Sequence, residues 1–272
     1  MTQDVHGKLS FRSLRRFNIF MGVLHFLQGI LMILMAAVFF SDTVGAFRLG
    51  VRQNFLFFNR ETFTLDLDYN VLFELPIAYL AAAFLLLSAL AHAIISIPEK
   101  TNAIYNADLA KGINRFRWFE YAISSSLMIV LIAGLFGIYD IGSLLLIFFI
   151  NAGMNLFGLV MEQLNSGRTK DNLDWGPFWW GTIMGLIPWV VIILYVTGTA
   201  SEALGEIPWF VWAIVGTYFV AFNTFPINMI LQYLKVGKWK NYIYGERVYI
   251  VLSLVAKTIL AWLVFLGTFQ PN

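Results

Sequence analysis

Seven long apolar segments limit what this chain can fold into. Each is close to the ~20 residues that a helix needs to cross a bilayer, and a helix satisfies its own backbone hydrogen bonds in lipid. Only 12% of the 272 residues are charged, against about 25% in soluble domains. The sequence therefore predicts an all-α membrane protein, a seven-transmembrane-helix bundle that forms a single domain over 1–272. The predicted spans are 17–40, 76–97, 115–137, 141–163, 177–198, 207–233 and 247–268.

Several classes of function are disfavoured by what the sequence lacks. There are no cysteines, which excludes disulfides and thiolate metal sites. There is also no glycine-rich phosphate loop, zinc-ligand spacing or serine-hydrolase elbow. We therefore expect neither an enzyme nor a nucleic-acid-binding protein.

Lysine and arginine are unequally divided between the two sides of the predicted bundle. Fourteen, including Lys8, lie at the N-terminus or on the connections of the same side, and three lie in the long loop 41–75 of the other side. Cytoplasmic loops carry an excess of basic residues. We therefore expect a multi-pass protein of the cell membrane with a cytoplasmic N-terminus and an extracellular C-terminus. The first apolar run is too long for a signal peptide, which indicates a retained span.

The loop 41–75 between spans one and two contains a predicted β-hairpin. Residues 62–69 alternate polar and apolar side chains, as a strand with one covered face does. They can pair with 55–58 across the turn 59–61. A two-stranded hairpin is marginal alone, so we expect it to lie on the bundle or on another subunit. An irregular loop is the alternative.

A single lysine, Lys257, lies in the middle of the last span. A charge at that depth is costly and needs a partner, and lysine is the side chain that forms Schiff bases with carbonyl compounds. Ser253 lies four residues earlier, which places its hydroxyl beside the amine. Glu120, one or two turns inside span three, can supply the counter-charge. Alternatively, Glu120 remains beside Arg117 at the membrane interface.

Two further polar pairs lie in the same half of the membrane as Lys257. His25 with Gln28 and Ser88 with His92 have the spacing of residues on one helix face. Taken singly, each histidine is explained as an interior side chain with a hydrogen-bond partner. Their shared depth instead favours a polar pocket on the cytoplasmic side.

The outer half of every predicted span lacks ionisable residues. An ion crossing a membrane needs polar groups along its whole path, so this pattern argues against a channel. Glu162, one residue from the end of span four, is interpreted as an interfacial carboxylate. Trp189, Trp212 and Trp262 lie deep enough to wall a ligand pocket, although helix packing would also explain them.

Local motifs resemble those of the heliorhodopsins, microbial-type rhodopsins with an inverted membrane orientation. The segment 253–257 is similar to the family's retinal-binding segment, and 117–121 is similar to its counterion segment. The span number, the inside N-terminus and the long outer loop also agree. Further similar positions are His25 with Gln28, Ser88 with His92, Asn151 with Met154, Glu162 and the stretch 222–226.

The resemblance implies a light sensor with a slow photocycle and no transport. Lys257 would bind retinal, all-trans in the dark, as a protonated Schiff base, with Glu120 as counterion and Ser253 hydrogen-bonded nearby. It further implies a homodimer that uses the hairpin, and we expect an unidentified cytoplasmic signalling partner. The implied chromophore contacts are Tyr121, Ser125, Asn151, Met154, Phe222 and Trp262. The implied proton network is His25, Gln28, Ser88, His92 and Arg117.

Two other functions compete with a light sensor. The first is a light-driven or light-gated ion (proton) transporter. A pumping rhodopsin keeps polar or acidic residues four and eleven positions after its carboxylate, where this chain has Ser124 and Leu131, so a proton donor is missing. The second is a small-molecule transporter or membrane enzyme in which Lys257 and Glu120 form only a buried ion pair.

Overall fold

The computed structural model describes residues 10–198, 205 and 207–269. Lys8 and both chain termini, to which the sequence assigned sides of the membrane, lie outside the described residues. Two β-strands, β1 (Arg48–Asn59) and β2 (Thr64–Pro76), pair with each other. The α-helices of the described part are α1 (Phe11–Leu34), α2 (Ile77–Ser96), α3 (Glu99–Leu109), α4 (Arg115–Leu135), α5 (Ile141–Asn165), α6 (Gly176–Gly198), α7 (Trp209–Tyr233) and α8 (Tyr242–Gly267), and a π-helical turn, Met35–Phe39, continues α1.

The seven helices other than α3 are long and apolar enough to cross a membrane, which confirms the predicted fold. Two of them begin earlier than their apolar runs, α1 by six residues and α8 by five. At the start of α1 the Ser10 hydroxyl accepts from the Ser13 N–H (3.2 Å). At the start of α8 the Asn241 side chain accepts from the Ile243 N–H (3.0 Å). Such caps satisfy first-turn N–H groups, so a helix can start outside the apolar run.

Helix α3 was not predicted, because its polar composition resembles that of a loop. One face of it is buried at Asn102, Tyr105 and Leu109, the three- and four-residue spacing of a helix side. The Asn102 side chain donates to the carbonyl of Ile95 (2.8 Å). The helix is thereby fixed across the end of α2.

The predicted hairpin is confirmed and is longer than the sequence suggested. β1 and β2 are antiparallel, and residues 55–58 pair with residues 65–68. Only the root of the hairpin lies on the bundle, where Val51 is buried and the Arg52 N–H donates to the carbonyl of Tyr139 (2.8 Å). Farther out both faces are exposed, and Leu67 shows 71% of its surface. The apolar outer part of the hairpin is therefore not covered by the described chain.

The two ends of the bundle differ in chemistry. We call the end where α1 begins the basic end and the opposite one the hairpin end. Buried side chains of the hairpin half are almost all apolar, and Met32, Leu85, Ile132 and Phe265 are among them. The basic half buries many polar groups instead. Among the described residues, the buried polar groups that could form a site are therefore concentrated in the basic half and at its border with the apolar half.

Helices α6 and α7 each contain an internal proline, Pro188 and Pro226. A proline cannot donate a hydrogen bond to the carbonyl four residues earlier and favours a kink. Both prolines lie within candidate membrane spans, so each of these two continuous helices lacks one backbone hydrogen bond inside the bundle.

Candidate functional site

Lys257 of α8 is buried, with 5% of its surface exposed, where α8 meets α2 and α4. Its amine donates hydrogen bonds to the Glu120 carboxylate, to the Ser88 hydroxyl (2.6 Å) and to the Ser124 hydroxyl (2.9 Å). Ser88 in turn donates to Glu120 Oε1 (2.8 Å). A buried charge pair is tolerated when further hydrogen bonds satisfy it. The structure thus brings Lys257 and Glu120 together in a well-satisfied pair.

The hydroxyls on the lysine differ in part from those expected from the sequence. Ser253 is buried in the wall of a neighbouring cavity and its side chain interacts with Tyr121, whereas Ser88 and Ser124 accept from the amine. Ser124 was not predicted as a partner of the lysine. It lies four residues after Glu120, so the i,i+4 rule already places both on one helix face.

An apolar cavity of about 340 Å³ begins at Lys257 and extends between α4, α5, α6 and α7. Its volume falls within the ~300–1,000 Å³ of small-molecule sites. The lysine amine lies 5.1 Å from the ring centre of Tyr121 and 5.4 Å from that of Phe84, both of which line the cavity. A long apolar ligand with one reactive end therefore fits these residues. Of the predicted chromophore contacts, Tyr121, Ser125, Met154 and Phe222 line this cavity.

Two of the predicted chromophore contacts lie outside the lining of this cavity. The Asn151 side chain donates to the hydroxyls of Ser125 (2.8 Å) and Ser126 (3.0 Å). It therefore fixes the position of these α4 residues without lining the cavity itself. The Trp262 indole donates to the Gln28 side chain (3.1 Å). Gln28, predicted as part of the proton network, is thereby engaged by Trp262.

The two histidines of the predicted network are stacked, with ring centres 5.8 Å apart. His92 Nδ1 is 2.9 Å from the Asn18 side-chain oxygen, and Asn18 is a partner that the sequence analysis missed. His25 is fully buried, and within the described residues neither ring nitrogen has a hydrogen-bond partner. A neutral imidazole has one N–H donor and one acceptor nitrogen, so His25 keeps unused hydrogen-bonding capacity within the described residues.

A second small cavity, of about 50 Å³, lies on the basic side of Lys257, between Glu120 and His92. It is lined by Ser88, His92, Glu120, Arg117 and Ser253, among others. Polar walls and this volume suit a few water molecules. Such water would provide a hydrogen-bonded route between Glu120 and His92.

Arg117 belongs to a separate buried cluster and does not pair with Glu120. Its guanidinium donates to Glu162 of α5 and Glu246 of α8. Each carboxylate is 1% exposed, so the interpretation of Glu162 as an interfacial carboxylate was wrong. The cause is packing, because Glu162 also accepts from the Trp118 indole (2.7 Å) and the Asn114 N–H (2.7 Å).

Glu246 was not predicted as a site residue, because it lies one residue before the predicted last span, 247–268. The sequence does contain a signal for this residue, because polar and ionisable side chains recur there every three or four residues, at Glu246, Tyr249, Ser253 and Lys257. All four are buried on one face of α8. This face carries both the cluster and the lysine.

Charged and histidine side chains of the described spans stop at the level of Lys257. Toward the hairpin end from that level the spans contain no Asp, Glu, Lys, Arg or His among the residues described. Lys257 therefore forms the boundary between a polar half and an apolar half of the bundle.

The heliorhodopsin family model matches residues 14–269. The chain belongs to the heliorhodopsin family. Heliorhodopsins are photoreceptor-type rhodopsins, membrane proteins for which retinal is the implied chromophore and which are not a known class of enzyme. The family, the seven apolar helices and the hairpin agree with the expectation from the sequence. No curated protein sequence matches this heliorhodopsin.

Proposed function

We propose that this protein is a light-sensing receptor in which retinal is attached to Lys257 and Glu120 is the counterion. When bound, retinal supplies a light-isomerised polyene whose protonated Schiff-base linkage carries a positive charge. The observation that carries the proposal is the placement of the Lys257 amine, paired with Glu120, at the polar end of an apolar cavity. A carboxylate at this position stabilises a cation on Nζ.

The surrounding hydroxyls orient the charged groups. Ser88 and Ser124 both accept from Nζ, and Ser88 also donates to Glu120. They hold the carboxylate and Nζ in a fixed geometry, as preorganised sites require. Ser253 and Tyr121 lie beside them, and Ser125, Met154 and Phe222 line the apolar part of the cavity. The all-trans isomer in the dark is part of the proposal.

A proton that leaves Nζ in the light would stay inside the protein. The cavity beside Glu120 reaches His92, on which the buried His25 is stacked, and we propose this pair as the proton acceptor. Toward the hairpin end no charged group of the described spans could receive it. We therefore propose a slow photocycle with internal proton transfer and no ion pumping.

The placement in the membrane also belongs to the proposal. Thirteen of the seventeen basic residues that the structure describes lie on the basic end and its connections, which favours a cytoplasmic basic end in the cell membrane. The exposed outer part of the hairpin favours a homodimer. Residues 1–272 would form one domain, and light would alter its cytoplasmic loops and a signalling partner docked there.

Reconstitution with all-trans retinal tests the attachment. We expect a visible absorption band that is absent in Lys257→Ala and shifted in Glu120→Gln. Glu246→Gln is the matched control, because it removes a buried carboxylate that contacts Arg117 and not Lys257, so the band should not move. A band that survives Lys257→Ala would disprove the attachment.

A second measurement separates sensing from transport. Illuminated cells that contain the retinal-loaded protein should show no light-dependent change in external pH and no photocurrent. A reproducible pH change that disappears in Lys257→Ala would establish the transporter instead.

A further inference from the structure

A third cavity, of about 140 Å³, opens at the basic end and is separate from the two cavities beside Lys257. Its walls come from three connections: α3 to α4, α5 to α6, and α7 to α8. We call it the basic-end cavity. Its lining contains five basic side chains and no aspartate or glutamate, the bases being Lys111, Arg168, Lys170, Lys235 and Lys240.

These five bases are not neutralised within the part of the chain that the structure describes. Each is exposed, and the ion pairs of the described residues involve other basic groups, namely Arg115, Arg117 and Lys257. Like charges this close repel one another. The concentration of positive charge around one cavity therefore favours an anionic occupant.

The walls of the basic-end cavity are tied together by hydrogen bonds. The Ser166 hydroxyl donates to the carbonyl of Lys111 (2.8 Å), which joins two of the connections. The Gln232 side chain donates to the carbonyl of Tyr242 (3.1 Å), and the Trp239 indole donates to Asn228 (2.7 Å), which fix the third. The cavity is thus formed by the folded bundle.

The chemistry of the lining selects the class of anion. Several ammonium groups and one guanidinium suit an anion with more than one negative charge or several acceptor oxygens. A phosphate group has both properties. The aromatic residues Trp239 and Tyr233 line the same cavity, and such residues lie at the level of lipid headgroups.

We propose that the basic-end cavity binds a phosphate group, carried either by a soluble phosphate compound or by an anionic lipid headgroup. The site requires neither retinal nor Lys257. Its failure would leave the proposed light-sensing function intact, and failure of that function would leave this site intact.

Titration with inorganic phosphate tests the soluble source. The full chain is placed in nanodiscs of phosphatidylcholine alone, and phosphate is added at constant ionic strength while binding is followed by calorimetry. The double variant Lys111→Gln, Lys240→Gln should bind at least about a hundredfold more weakly, since each hydrogen bond between charged groups contributes at least about tenfold. Lys238→Gln is the matched control, because Lys238 lies in the same turn as Lys240 but does not line the cavity.

Nanodiscs of equal parts phosphatidylcholine and phosphatidylglycerol test the lipid source. Native mass spectrometry should show phosphatidylglycerol retained by the wild type and by Lys238→Gln but lost from the double variant. Either result, with soluble phosphate or with lipid, supports the site and identifies its source. The helical circular dichroism signal checks that the variants, all at exposed positions, remain folded.

Two outcomes would overturn the proposal. One is that neither probe binds saturably to the wild type. The other is that Lys238→Gln weakens binding by the same factor, for each lysine removed, as the substitutions in the cavity lining. The basic residues would then act only as a diffuse surface charge.

Discussion

Arg117→Gln is expected to destabilise the bundle by about 3–5 kcal/mol. Among the described residues its guanidinium is the cation that Glu162 and Glu246 share, and both carboxylates are 1% exposed. The substitution leaves two buried negative charges without a cation, and removing one partner of a buried pair costs about 3–5 kcal/mol. A Coulomb estimate agrees, at about 4 kcal/mol for charges roughly 4 Å apart at an effective dielectric constant of about 20.

Glu246→Gln is the control for this prediction. It leaves one carboxylate for one guanidinium, and the glutamine oxygen can still accept from Arg117 and from Asn114, which donates to Glu246 now (2.8 Å). The expected loss is about 1 kcal/mol, that of a weakened hydrogen bond.

Thermal unfolding of the purified protein, followed by tryptophan fluorescence, separates the two variants. For a chain of this size 1 kcal/mol corresponds to about 2–4 °C in Tm. We expect Tm to fall by about 10 °C in Arg117→Gln and by about 3 °C in Glu246→Gln. Equal losses would refute the reasoning, because they would show that the ratio of carboxylates to guanidinium does not determine the stability of the cluster.

Two further predictions concern the apolar cavity and the hairpin. In Gly185→Ala the added methyl group would lie 2.5 Å from Met154 Sδ and 2.8 Å from the Phe222 ring, so we expect about tenfold weaker retinal uptake, measured by visible absorbance. Gly216→Ala, where the added group meets nothing within 4 Å, should leave uptake unchanged. Leu56→Lys places a charge on the exposed strand opposite Leu67. Chemical crosslinking should then show loss of the dimer, while the absorption band stays unchanged. A surviving dimer would argue against the hairpin as the dimer interface.

The bundle and the hairpin could be predicted because each depends on a pattern local in sequence. Apolar runs of span length must become helices in lipid. The alternation of polar and apolar residues next to 59–61 indicated the hairpin and its turn. Helix α3 could not be predicted in this way. It is stabilised by tertiary contacts of Asn102 and Tyr105, and such contacts override composition.

The pairing of Lys257 with Glu120 followed from depth alone, since a buried lysine needs an anion at its own level. The partner of Arg117 did not follow, because Glu120 is nearer in sequence while Glu162 and Glu246 are nearer in space. Similarly, Asn151 has the depth of a cavity residue, but rotation about the axis of α5 turns it toward Ser125 and Ser126. Depth can be read from sequence, whereas rotation depends on how the helices pack.

The prolines of α6 and α7 have a mechanical consequence. Pro226 leaves the carbonyl of Phe222 without its usual helical donor, and Pro188 does the same for Met184, so each helix bends there more easily than an uninterrupted one. Phe222 and Pro226 line the apolar cavity, so a bound molecule that changed shape there would press on the wall that bends more easily. The opposite wall, formed by α4, is braced by Asn151. A push from inside the cavity would therefore be expected to bend α6 and α7, whose basic-end connections form part of the basic-end cavity.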